Sequence, residues 1–155
     1  MINSFYRLIS TCLGIGYIPK GGGTLAAIFC AIAWYFCWTD GKGQWVWELV
    51  VTGIVFGLGV WTSGRMENEW GKDNHRIVID EVAGMCLTLV HVPVTLSFLV
   101  SGLVLFRFFD IAKPLFIRRM ELLKGGWGVM MDDMLAGLYS SLILQLAVAV
   151  LSIEC

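Results

Sequence analysis

Four apolar stretches constrain this chain more than any other feature. They cover residues 24–38, 45–62, 82–109 and 134–153, and together they occupy about half of the 155 residues. A helix needs roughly 20 apolar residues to cross the hydrocarbon core of a bilayer. The second and fourth stretches approach that length. The first is shorter, with Gly21 to Gly23 available to extend it towards the interface, and the second carries one acid, Glu48, near its start. The third is broken at His91, Val92 and Pro93, so it reads either as one helix kinked at the proline or as two shorter helices meeting there. In the fourth, Gln145 is the one strongly polar intruder.

Composition decides where these stretches go. Hydrophobic residues make up 57% of the chain and charged residues 15%, against roughly 25% charged in soluble domains, and the mean hydropathy is +0.76. One small core cannot hide that much apolar surface, and a membrane resolves the excess. The competing reading is a soluble helical bundle with an unusually apolar core. Strand-type alternation is absent, so the expected fold is all-α: a compact membrane-embedded bundle of about four to six helices, some short or kinked, forming a single domain over residues 1–155.

The basic residues orient it. With the N-terminus inside, the first two stretches as a hairpin and the third as a return hairpin, Arg7, Lys20, Arg65, Lys72, Arg76, Arg107, Lys113, Arg118, Arg119 and Lys124 all fall on the cytoplasmic side. Lys42 alone falls outside. Such asymmetry is the positive-inside pattern, and it collapses if the third stretch crosses once, so a turn at residues 91–93 is preferred. The N-terminal segment MINSFYRLIS lacks the layout of a signal peptide. Five cysteines (Cys12, Cys30, Cys37, Cys86 and Cys155) show no metal-ligand spacing and read as reduced packing residues. No basic patch stands clear of acidic neighbours, which argues against a nucleic-acid partner.

Three polar segments carry the chemistry, and this topology puts all of them on the cytoplasmic side. Residues 14–24, GIGYIPKGGGT, form a glycine-rich loop whose N–H groups can approach an anion. Thr24 is placed to cap the following helix, and Lys20 adds a charge. It is not a Walker loop, because no Lys-Ser/Thr pair follows the required spacing. Taken alone it is as much a membrane-surface turn as a phosphate cradle. Residues 77–84, IVIDEVAG, place Asp80 and Glu81 just before an apolar helix, where a capping pair is the bland alternative. Residues 106–114, FRFFDIAKP, and 125–137, GGWGVMMDDMLAG, supply Arg107, Asp110 and Lys113, then Asp132 and Asp133. An ion pair is the bland reading of Asp110, but ionisable groups at membrane level are expensive and tilt towards function.

The relation between the segments is more telling than any one of them. Asp80-Glu81 is followed by Ala83 and Gly84, and Asp132-Asp133 by Ala136 and Gly137. Small residues let helix backbones come close, and two helices packed through those faces would gather four carboxylates. Like charges that close cannot all stay ionised without a cation, and oxygen donors of this kind suit Mg²⁺ or Mn²⁺. A cation, a candidate anion loop and flanking Arg and Lys describe phosphoryl transfer. Cys-x5-Arg, DxDx[TV] and DGxxAR motifs are absent, and His75 and His91 do not make a histidine-nucleophile pair.

GIGYIPKGGGT, IVIDEVAG, FRFFDIAKP and GGWGVMMDDMLAG, in that order, resemble the phosphatidylglycerophosphatase A family over nearly the whole chain. The chain departs from the family pattern at Gly22, at Ala26-Ala27 and at Leu115-Phe116. The resemblance implies a helical, Mg²⁺-dependent enzyme that hydrolyses phosphatidylglycerophosphate in a bacterial inner membrane, with the lipid bilayer and that phospholipid as its partners. On this reading Asp80, Glu81, Asp132 and Asp133 hold Mg²⁺ and position a water, and Asp110 is a further ligand or general base. Arg107, Lys113 and Lys20, with the backbone at Gly14, Gly16, Gly23 and Thr24, grip the phosphate. The acyl tails are expected to stay in the bilayer, so no deep pocket is needed. A cation-binding membrane protein without catalysis, such as a channel or transporter subunit, and a lipid phosphotransferase are the alternatives. A cation path has no use for an anion grip, which favours the enzyme.

Overall fold

The computed structural model describes residues 2–38, 44–71, 74–114 and 116–153; Lys42, Lys72, Leu115 and Cys155 lie outside the described residues. The described chain is all-helical. In order come α1 (Ile2–Ser10), a 3-10 turn (Ile15–Tyr17), α2 (Gly22–Trp38), α3 (Trp45–Trp70), α4 (Ile79–Leu89), α5 (Leu96–Ala112), the single turn α6 (Ile117–Met120) and α7 (Gly126–Ile153). Seven α-helices exceed the four to six expected. The additions, α1 and α6, lie outside the four apolar stretches, where a search for long apolar runs has nothing to detect. In α1, Tyr6 and Ile9 pack on the core while Phe5 and Leu8 are exposed, the pattern of an amphipathic helix. Its Arg7 pairs with Glu69 of α3.

Segments 45–67 and 126–153 are long and apolar enough to cross a membrane, and α2 is a shorter apolar helix. Much of their surface is bare hydrocarbon: Phe36, Trp47, Ile54, Leu142 and Leu146 are all more than half exposed. This exposed apolar surface and these two helices are consistent with membrane association. The third apolar stretch resolves into two helices, because α4 ends at Leu89 and α5 restarts at Leu96, with Thr95 Oγ1 accepting a bond from the Phe98 N–H as its cap. His91 takes a positive φ of 59° in the turn between them.

Val90 and Val92 bury this turn in the fold, so its backbone needs partners, and the two polar intruders of the apolar helices supply them. Glu48 of α3, 6% exposed, accepts a 2.7 Å hydrogen bond from the His91 N–H. Gln145 of α7 donates to the Val90 carbonyl at 3.3 Å and to Ser141 Oγ at 3.0 Å.

The most extensive helix pairing is α4 against α7. A Cβ added at Gly84 would lie 2.6 Å from the Asp133 carbonyl oxygen, and one at Gly137 would run into the Gly84 carbonyl. Ala83 and Ala136 flank the crossing fully buried. This is the backbone approach anticipated from the two acidic pairs and their small followers. Gly53 and Gly57 behave otherwise: both stand on an open face of α3 with nothing within 4 Å, so they do not serve packing within the bundle. Gly59 and Gly64 do, facing Met130 and Gly126 of α7. Cys30 and Cys86 are buried with their sulfurs 3.4 Å apart, and Cys37 is exposed.

Candidate active site

The α4–α7 crossing sets the site, because it fixes the two acidic pairs opposite one another. Asp80 and Glu81 occupy the first turn of α4, where the helix dipole favours negative charge, and Asp80 Oδ1 accepts the Glu81 N–H at 3.0 Å. Asp132 and Asp133 lie two turns into α7, 7% and 3% exposed. Oxygens of Asp80, Glu81 and Asp133 all fall within 4.8 Å of one another, and Asp133 also lies against Asp110 at the end of α5.

These groups line one cavity of about 240 Å³ together with Asn74, His75, Lys113 and Glu121. Its six carboxylates are Asp80, Glu81, Asp110, Glu121, Asp132 and Asp133. Glu81 Oε2 and Asp132 Oδ1 are buried with no hydrogen-bond partner among the described residues. Buried polar atoms are ordinarily paired, and a carboxylate oxygen is an acceptor that a cation satisfies as well as an N–H does. Three close carboxylates, with orphaned oxygens on Glu81 among them and on Asp132 beside them, therefore fit a hard divalent cation such as Mg²⁺.

Lys113 is the ammonium of the cavity. Its Nζ lies 2.7 Å from Asp132 Oδ2 and 2.5 Å from Glu121 Oε1. Burial acts to lower its pKa, but the bonds and charges of Asp132 and Glu121 outweigh that and raise it, so it stays charged. It is also the C-cap of α5 with φ 44° and ψ 51°. Glycine fills such left-handed positions without strain. A lysine held there, in a conformation that costs of order 1–3 kcal/mol, points to a need for the amine.

The remaining predicted residues sit elsewhere. Arg107 Nη1 pairs with Asp110 Oδ2 at 2.5 Å and is not among the residues lining the cavity. α5 stops at Ala112, just beyond Asp110. Gly23 abuts Glu81: a Cβ there would meet the Glu81 carboxylate, so the start of α2 backs the acidic cluster. Thr24 is the third residue of α2, which begins at Gly22, and is not the helix cap it was expected to be. Gly16 is buried against the Arg76 carbonyl, Lys20 is exposed, and Gly14 lines a separate hollow with Arg7 and Tyr17. Gly14, Gly16, Lys20 and Thr24 are not among the residues lining the acidic cavity. Asn74, His75 and Glu121, in contrast, line it without having been singled out. Glu121 had no signal, lying among Arg118, Arg119 and Lys124 in what reads as a solvated charged turn.

Fold and site together define a helical protein with two helices apolar enough to cross a membrane, built around a carboxylate-lined cavity. The family model for phosphatidylglycerophosphatase A matches residues 8–148. The chain is 39% identical over 146 residues to a putative phosphatidylinositol-3-phosphatase of Bacteroides thetaiotaomicron, covering 90% of this chain and 91% of the relative. It is 31% identical to phosphatidylglycerophosphatase A of Escherichia coli, over 90% of this chain and 81% of the relative. It is 36% identical to phosphatidylglycerophosphatase A of Haemophilus influenzae, over 61% of this chain and 60% of the relative. No solved structure matches. The chain belongs to the phosphatidylglycerophosphatase A family and is a phosphatase.

Proposed function

We propose that the protein hydrolyses phosphatidylglycerophosphate to phosphatidylglycerol and inorganic phosphate, using Mg²⁺, at the cytoplasmic face of a bacterial inner membrane that it crosses several times. The observation that carries the metal reading is a charge imbalance. Six carboxylates line a cavity that must accept a phosphate dianion, with Lys113 as their ammonium partner. Phosphate cannot enter such a site unaided.

Asp80, Glu81 and Asp133 would hold the ion, with Asp132 beside them. Bound there, Mg²⁺ supplies the positive charge that phosphate oxygens need and polarises the P–O bonds. The protein's own groups do the rest. Lys113, freed from one of its two carboxylates, donates to a phosphate oxygen and offsets charge developing in the transition state. Asp110 accepts a proton from the attacking water. The water oxygen bonds to phosphorus, the bond to the lipid glycerol oxygen breaks, and that oxygen takes up a proton and leaves as a hydroxyl. Arg107 holds Asp110 through their ion pair.

The basic-residue asymmetry supports the cytoplasmic orientation. In a background whose native cysteines are replaced, a maleimide reagent confined to the cytoplasmic side should label Lys124→Cys, and labelling from outside would reverse the topology. The decisive assay is phosphate release by purified protein with Mg²⁺ and then with EDTA, from phosphatidylglycerophosphate and from phosphatidylinositol 3-phosphate in parallel. Loss on chelation and a higher kcat/KM for the first lipid are expected. Activity indifferent to chelation contradicts the metal reading. Preference for the inositide, which the name of the Bacteroides relative raises, would reassign the substrate and keep the chemistry.

A further inference from the structure

A second cavity, an apolar groove of about 630 Å³, runs between α2 and α5. Ile28, Ile32 and Phe36 form one wall and Leu96, Val100 and Leu103 the other. It opens sideways, where Ile32, Leu96 and Val100 are all more than half exposed, and Thr95, the cap of α5, lines it at the end away from the acidic site.

Its walls are the helices that carry the acidic site at their other ends. The first turn of α2 sets Gly23 against the Glu81 carboxylate, and Ile28 follows about 8 Å further along the axis at 1.5 Å per residue. α5 arrives at Asp110, and Leu103 precedes it by about 10 Å. The groove thus begins about 8–10 Å from the carboxylates and extends to about 20 Å, at Phe36 and Leu96. A lipid with a terminal phosphomonoester in the acidic cavity has a glycerol, a phosphodiester and a second glycerol before its acyl chains start. One headgroup's length from the site is where the groove opens.

We propose that this groove is the acyl-chain subsite: one fatty-acyl chain of the phospholipid substrate lies between α2 and α5 while its phosphate occupies the acidic cavity. This rests on the lipid-phosphatase reading above and revises the expectation that both tails stay in bulk bilayer. The subsite gives the enzyme a hold on the lipid that does not depend on charge, useful in a site whose own charge repels the phosphate.

Two measurements on the full chain test it. The first reconstitutes the protein in nanodiscs with a trace of phosphatidylglycerophosphate carrying a diazirine in one acyl chain, and maps the photo-adducts by mass spectrometry. Adducts should concentrate on segments 28–36 and 96–103, while phosphatidylcholine bearing the same diazirine labels the groove no more than exposed positions such as Leu142 and Leu146. Equal patterns from the two lipids would mean that bulk lipid fills the groove, and would overturn the proposal. The second compares dioleoyl and dihexanoyl substrates with Val100→Trp, which fills the groove from an exposed position. The KM ratio, long chain over short, should rise about tenfold, the loss expected when about two buried methylenes are excluded. An unchanged ratio would count equally against the subsite. If the wild type hydrolyses neither lipid, the function reading has failed, and the photo-adduct pattern still decides the groove.

Discussion

The α4–α5 hairpin buries polar groups at both of its ends, and the two ends treat them in opposite ways. At the turn, Glu48 accepts from the His91 N–H and Gln145 donates to the Val90 carbonyl, so an irregular backbone is satisfied by one side chain from each neighbouring helix. At the open end, six carboxylates converge, and Glu81 Oε2 and Asp132 Oδ1 are left without partners among the described residues. The two levels are about 18 Å apart along α7, from Asp133 to Gln145. Polar groups at the turn are there to hold the fold. Those at the open end oppose it, since gathering like charges is unfavourable, and they are held together by the Gly84–Gly137 crossing. Buried polar groups that complete each other are structural; buried like charges gathered with orphaned acceptors point to a site.

This contrast can be broken by mutation. Asp133→Asn should produce the largest effect on activity, a loss of about 10³-fold or more, with thermal stability equal to or above wild type because one buried like charge is gone. An active enzyme, or one that fails to fold, would place Asp133 in the structural class. Next comes Gly137→Ala, which drives a methyl into the Gly84 carbonyl. It should destabilise by about 1–3 kcal/mol and lower activity as well, because the acidic pairs separate. Retained activity with a lowered melting temperature would mean that the crossing does not set the site.

Glu48→Ala is the counterpart at the turn. It orphans the His91 N–H at a penalty of about 1–3 kcal/mol, measured by denaturation, while kcat of the folded fraction stays near wild type. A collapse of kcat would show that the two ends are coupled. The smallest effect belongs to Thr95→Ala, which removes the α5 cap and should cost about 1 kcal/mol with no change in metal dependence.

The turn end was half legible in the sequence. Glu48 and Gln145 stand out as polar residues in apolar runs, but which backbone groups they serve depends on α3 and α7 flanking the turn, which no local pattern encodes. The acidic end was more legible, because Asp80-Glu81 and Asp132-Asp133 each carry their packing instruction a turn later in Gly84 and Gly137. Glu121 was hidden for the opposite reason: its neighbours in sequence are basic, and its partner Lys113 reaches it through a left-handed cap that only the fold reveals. The glycine loop misled in part. Its spacing suggested an open anion cradle, whereas Gly16 and Gly23 are spent on close contacts with Arg76 and Glu81. α1 and α6 escaped because the search was for long apolar runs, and both helices are short with mixed faces.

The central claim is that the open end is a divalent-cation site and the turn is not. Electron paramagnetic resonance of Mn²⁺ titrated into the detergent-purified protein tests it directly, comparing wild type, Asp133→Asn and Glu48→Gln. Tight Mn²⁺ binding that Mg²⁺ displaces is predicted for wild type and Glu48→Gln, and its loss for Asp133→Asn. Binding that survives in Asp133→Asn, or that is absent from the wild type, would contradict the account.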